Sequence, residues 1–112
     1  MVLAAQAETA PVIIQVSHRA LQYVGSGSEI LGLQYMAALG KTAANSVDVP
    51  VSLHLDHANE QEVLQAIALG FTSVMFDGDA LPFAENVATT KRLCAIAHSL
   101  NVCMEAEIGE VL

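Results

Sequence analysis

Residues 53–60 read LHLDHANE, which sets His54, Asp56 and His57 within four positions at the end of an apolar run. Imidazole and carboxylate are the side chains that move protons and hold metals, imidazole suiting zinc and carboxylate a harder ion. Other polar groups fall at comparable places. Ser17 closes PVIIQVS (11–17), Asp77 closes FTSVMFD (71–77), and Glu105 and Glu107 lie in NVCMEAEIG (101–109). Residues two apart in a strand share a face, so Glu105 and Glu107 point the same way. Burying several carboxylates together is costly unless a cation meets them. Asp56, His57, Asp77 and Glu107 converging on one mouth therefore point to a metal.

Blander roles stand beside these. His54, inside its strand, is expected to be a packed, hydrogen-bonded core histidine. Asp77 could serve only to start the turn DGD, and Ser17 could be an ordinary loop hydroxyl. Glu105 could pair with a neighbouring strand. Asp79, Glu60 and Glu62 are expected as cap and surface groups, and His18 and His98 as surface or helix-face residues.

The elements that would position these groups alternate in type. Residues 11–17 form a β-branched run, a buried strand, followed by a Gly/Ser loop at 25–28. Residues 28–45 carry a helical apolar face in Ile30, Leu31, Leu33, Met36, Ala37 and Leu39. VDVPVSLHLDH (47–57) is the second strand. Asn59 and Glu62 have capping-box spacing, and Gly70 suits the C-cap of the helix they open. Residues 71–77 form the third strand, residues 82–100 a helix with Pro82 in its first turn, and residues 101–109 the fourth strand. This β-α-β-α-β-α-β order implies parallel strands with right-handed crossovers. It fits an α/β fold of about four parallel strands with three intervening helices. An open doubly wound sheet and part of a (β/α)8 TIM barrel both have that pattern. A whole barrel takes about 250 residues, and the chain has 112. VLAAQAET (2–9) reads as the end of an earlier helix, and Val111 and Leu112 follow a strand with no covering helix. The expectation is one incomplete domain over residues 1–112, an internal piece of a barrel lacking the first strand and the C-terminal half.

Composition narrows the function classes. The chain is 54% hydrophobic with few aromatics and no Trp, which suits parallel strands covered by helices. Its formal charge is −8, with Arg19, Lys41, Lys91 and Arg92 as the cations. That balance argues against nucleic acid and against an anionic membrane surface. It leaves room for a phosphorylated small molecule held by backbone donors. No apolar run reaches the ~18 residues of a membrane span. The N-terminus has no basic segment of a signal peptide, and the cytoplasm is the expected location. Cys94 and Cys103 form no CxxC and are expected to be reduced, buried thiols.

The segments PVSLHLDH, AIALGFTSVMFDGDALPFAENVATTK and MEAEIGEV together resemble the class II, zinc-dependent ketose-bisphosphate aldolases. Fructose- and tagatose-bisphosphate aldolases belong to that family. The resemblance spans about residues 11–111 and rests on the ordered set LDH, GFTSVMFDG, AENV and EAEIG. It implies Asp56 as the acid/base that exchanges a proton with the substrate's C4 hydroxyl, and His57 as a ligand of the catalytic zinc. It implies Asp77 and Glu107 at a second cation, divalent or monovalent, and Ser17 near the substrate phosphate. Zinc would polarise the C2 carbonyl and hold the charge of the enediolate. No Schiff-base lysine is then required, and Lys41 and Lys91 both fall in helical segments. The products would be glycerone phosphate and glyceraldehyde 3-phosphate, within glycolysis. The parent would be a homo-oligomer, a dimer or tetramer.

The chain departs from the family pattern. Two further zinc histidines, the glycine-rich phosphate loops and the first strand lie outside it, and one histidine falls short of the usual three protein ligands. Two rival readings follow. One is a non-catalytic half-barrel that self-associates or binds another chain. The other is a metal-independent α/β binding module, which the acidic set with His57 disfavours.

Overall fold

The computed structural model describes residues 1–109. The expectation for Val111 and Leu112 lies outside the described residues. Four strands, β1 (Val12–Ser17), β2 (Val51–Ala58), β3 (Ser73–Phe76) and β4 (Cys103–Ala106), form one sheet in the order β1-β2-β3-β4. Every neighbouring pair is parallel. The helices are α1 (Val2–Ala7), α2 (His18–Val24), α3 (Glu29–Asn45), α4 (Glu60–Leu69) and α5 (Phe83–Ser99). Strands alternate with covering helices, an α/β arrangement of the kind that builds a TIM barrel.

Strand alternation divides the residues between two faces. Ile14, Val16, Leu53, Leu55, Val74 and Phe76 are buried and meet Leu21, Leu33, Val63 and Leu93 from the helices. The opposite face carries Gln15, Ser52, His54, Asp56 and Ser73, and Ile13 on it is 63% exposed. His54 is the buried histidine expected, its Nδ1 2.7 Å from Ser73 Oγ on β3.

Helix starts and stops follow local chemistry. Ser28 caps α3 by accepting from the Leu31 N–H. Asn59 and Glu62 form the expected capping box, each side chain accepting the other's backbone N–H at 3.0 and 2.9 Å. Gly70 ends α4 with φ of 96°, a left-handed conformation that glycine takes without strain. Pro82 sits at the N-cap of α5, one place before the first turn where it was expected.

Three expectations need correction. Glu62 is a cap as expected but not a surface group: it is 2% exposed, because α4 packs against the sheet and turns its first turn inward. The cysteines are free but not buried, Cys94 being half-buried and Cys103 exposed. Cys103 projects to the uncovered sheet face, opposite to Met104. The stretch between Ser17 and the Gly/Ser loop is the helix α2, additional to the three intervening helices expected. Ser17 caps it by accepting from the Ala20 N–H at 3.4 Å. Seven residues with one buried apolar side chain, Leu21, give no helical periodicity to read.

Gly32 lets α2 and α3 touch. A Cβ there would lie 2.2 Å from the Leu21 carbonyl oxygen. In a free helix alanine is favoured over glycine by about 1 kcal/mol. Here the methyl must push the two backbones apart, and overpacking costs about 1–3 kcal/mol. Gly32→Ala should therefore lower the thermal unfolding midpoint despite its better helix propensity. A raised midpoint would show that the two helices separate freely at this point.

Candidate functional site

The site begins with an irregularity in β2. Leu55 pairs with Val74 and Ala58 with Phe76, so three steps on β2 match two on β3. The extra residue is accommodated at His57, whose φ is 50°. A side chain other than glycine is uncommon there, and in strands such an insertion is a bulge. Its effect follows from the core. Leu53, Leu55 and Ala58 are all buried on the helix side, the last at 0% exposure. Without the bulge His57 would occupy the core position that Ala58 takes. With it, His57 leaves the core and joins Asp56 at the open strand end.

His57 there meets the ends of the next two strands. Its Nδ1 lies 3.0 Å from Asp77 Oδ2 and 3.6 Å from Glu107 Oε1. Ligand atoms of the three residues lie within 4.8 Å of one another. Asp77 also starts the turn that follows β3. Its Oδ1 accepts from the Asp79 N–H at 3.1 Å, and its own N–H donates to the Ala58 carbonyl at 2.9 Å. The turn fixes one oxygen and leaves the other for His57, so the two roles are compatible.

Asp56 stands apart from this trio. Its Oδ2 accepts from Gln15 Nε2 at 2.8 Å, across the face from β1. Ser17 pairs in register with Asp56 but spends its hydroxyl on capping α2. Glu105 is exposed and makes no side-chain hydrogen bond among the described residues. Gln15 was not singled out in the sequence. The signal was present: it lies two residues before Ser17 and so on the same face.

A cleft of about 380 Å³ opens at these strand ends, lined by His57 and Asp77 together with His18, Asn59 and Glu62. His18 Nδ1 is 2.6 Å from Glu62 Oε1, and its Nε2 is 3.8 Å from Glu29. Glu29 also accepts from Gln22 at 2.9 Å. His18 thus belongs to the wall of the cleft and not simply to a surface. A cavity of about 400 Å³ lies at the other end of the sheet, beside Ala37, Gly40, Leu53 and Thr72. Among the described residues Lys41 is its one ionisable lining residue, and no carboxylate or imidazole lines it.

Electrostatics favour a positive charge at His57. The hydrogen bond to Asp77 holds its imidazole above the ordinary value of 6.5, burial opposes this, and the Asp56 and Glu107 carboxylates add to it. The bond to His57 likewise holds Asp77 below 3.8, against burial. One imidazole nitrogen and two carboxylates form a mixed donor set that fits a divalent cation, with the His57 proton standing where a cation would compete.

Parallel strands with an imidazole and carboxylates gathered at their C-terminal ends define an α/β fold of the barrel type, with its polar groups where such folds bind ligands. The chain belongs to the class II fructose-bisphosphate aldolase family, whose profile matches residues 1–112. It is 41% identical over 110 residues to a fructose-bisphosphate aldolase of Streptococcus pyogenes serotype M3, covering 96% of this chain and 36% of that protein. It is 42% identical over 108 residues to the fructose-bisphosphate aldolase of Mycoplasma genitalium, with the same coverage. The crystal structure of the YdjI aldolase from Escherichia coli K12 superposes with a TM-score of 0.77 at 29% identity, over 99% of this chain and 41% of that one. The chain thus spans about a third of the length of the curated relatives it matches. Among the described residues, no helix is long and apolar enough to cross a membrane.

The His57–Asp77 pair has a defined pH signature. The raised imidazole contributes stability that is complete below 6.5 and is lost as pH rises through its folded value. The depressed carboxylate contributes stability that is complete above 3.8 and is lost as pH falls through its folded value. The pair is therefore strongest between those limits. In metal-free chemical denaturation, His57→Gln should cost more stability at pH 5.5 than at pH 8.5. An equal loss at both would show that the pair does not form.

Proposed function

We propose that this chain carries the acid/base and the first metal ligand of a zinc-dependent aldolase acting on a ketose 1,6-bisphosphate, fructose or tagatose. The observation that carries this reading is the bulged end of β2. It presents Asp56 and His57 side by side, with Asp77 and Glu107 arriving from the next two strands.

His57 would hold the zinc, and Asp77 and Glu107 would hold a second cation or orient the first. When bound, zinc supplies Lewis-acid polarisation of the ketose C2 carbonyl. Asp56 acts on the other side of the bond that breaks. It is half-buried and, among the described residues, accepts a single side-chain hydrogen bond, from Gln15, which orients the carboxylate and leaves its second oxygen for substrate. As base it takes the proton of the C4 hydroxyl while the C3–C4 bond breaks, leaving the aldehyde on C4 and the electron pair on the C2–C3 fragment. In condensation it returns that proton. Ser17, beside Asp56 in the register, accepts from the Ala20 N–H and would have its hydroxyl proton left to donate toward the substrate phosphate.

Zinc binding and aldol cleavage measured in parallel, on the chain and its variants, test this. His57→Ala should lose zinc and cleavage together. Asp56→Ala should retain zinc and lose about 10²–10⁴-fold in cleavage, the usual share of a positioned acid/base. Zinc retained at full affinity in His57→Ala would sink the ligand assignment, and full cleavage in Asp56→Ala would sink the acid/base.

A further inference from the structure

The segment AENV (84–87) is part of the family resemblance, yet none of its residues lies among the acid, base and ligating groups of the strand ends. Asn86 is its buried member, 7% exposed at the start of α5. Both ends of its carboxamide are engaged. Nδ2 donates to the Glu107 main-chain carbonyl at 3.2 Å, and Oδ1 accepts from the Thr90 hydroxyl at 3.1 Å. Its other neighbour is Gly78, directly after Asp77. A Cβ on Gly78 would lie 2.3 Å from Asn86 Oδ1 and 2.6 Å from its Cγ. The carboxamide is therefore packed against one chain end that carries a cation-site carboxylate and hydrogen-bonded to the other.

Those two ends need an outside hold. The pairing of β3 with β4 finishes at Phe76 and Ala106. Asp77 and Glu107 are each one residue beyond it, and are not paired with each other. Asp77 keeps a backbone bond to Ala58 and its own turn. Glu107 has, among the described residues, only Asn86 on its carbonyl.

The geometry points to Asn86 as a positioning residue for the cation site: it fixes Glu107 against Asp77 from behind and touches neither cation nor substrate. This rests on the metal reading proposed for the strand ends. A merely structural asparagine would stabilise α5 without affecting what Glu107 does.

Two measurements on the purified 112-residue chain separate these possibilities. The first is Zn²⁺ affinity by calorimetry. Loss of a residue that holds a ligand in place costs about 10–100-fold, and Asn86→Ala should fall in that range while remaining folded. The second needs no metal. In ¹⁵N relaxation of the metal-free chain, the Glu107 amide should pass from an order parameter of about 0.85 to below about 0.6 in Asn86→Ala, with β1 and β2 unchanged. Should Asn86→Ala fail to fold, Asn86→Asp decides by the same relaxation readout. It keeps the shape and the Thr90 bond but cannot donate to Glu107 at neutral pH. A rigid Glu107 in the variant, or a folded variant with wild-type Zn²⁺ affinity, overturns the inference. If the unaltered chain binds no Zn²⁺ but Glu107 loosens, the metal reading falls and the positioning role stands.

Discussion

At His57 the chain takes a conformation that costs a residue other than glycine of the order of 1–3 kcal/mol, and such strain persists only where the surroundings over-determine it. Here they do. Ala58 fills the core position on one side, its carbonyl takes the Asp77 N–H, and the imidazole itself is held by Asp77. A regular strand would place Asp56 and His57 on opposite faces of the sheet. Placing both at the mouth requires an extra residue somewhere between them and the core. The hydrophobic demand of Ala58, with Leu53 and Leu55, is what locates it. Burial on the helix side thus decides the geometry of the polar side.

That arrangement also sets the electrostatics. The chain carries a formal charge of −8, and three carboxylates face one imidazole at the strand ends. The proton on His57 is a small cation that the surrounding carboxylates favour. A metal that takes His57 must displace that proton, so metal affinity and proton affinity are coupled at this residue. The scarcity of lysine and arginine matters in the same way. Among the described residues, no salt bridge brings a lysine or arginine to Asp56, Asp77 or Glu107, so a cation has no fixed competitor beyond the histidine proton.

Much of this was legible in the residues. The strands announced themselves as continuous apolar runs because both their neighbours and their helix-side face are apolar. The capping box at Asn59 and the stop at Gly70 are local chemistry and need no tertiary context. The bulge was written in LHLDHA as a break in alternation, Leu53, Leu55 and then Ala58, but a break of one position is easily taken for the end of a strand. The helix α2 gave no period because one buried leucine in seven residues cannot define a face. Glu62 read as a surface cap because capping chemistry says nothing about which way a helix start will face. Its burial is decided by Val63, Ala66 and Ile67, which press α4 onto the sheet. Gln15 could be placed on the site's face by its spacing from Ser17, but its partner Asp56 is 41 residues away, and Asn86 acts through a partner 21 residues away, so no local window could show what either one holds.

The described residues contain two groups of ligating side chains close enough to share an ion: His57 with Asp77 and Glu107, and His18 with Glu29 and Glu62. Their residue types are nearly the same, and hydrogen bonding tells them apart. Glu62 has both oxygens engaged, one on the Asn59 N–H and one on His18, and Glu29 is held by Gln22. Both glutamates also sit in the first turn of a helix, where backbone dipoles already favour negative charge. Little demand for a cation remains there. Asp77 and Glu107 lie outside the first turn of any helix among the described residues. Asp77 gives one oxygen to its turn and the other to His57, and the nearest Glu107 oxygen, at 3.6 Å from His57, is beyond hydrogen-bond distance. Glu107 is a carboxylate positioned through its main chain, with no hydrogen bond to its side chain among the described residues. Under the proposed function that is the arrangement a cation ligand requires, and the two trios differ in it although their residue types are nearly the same.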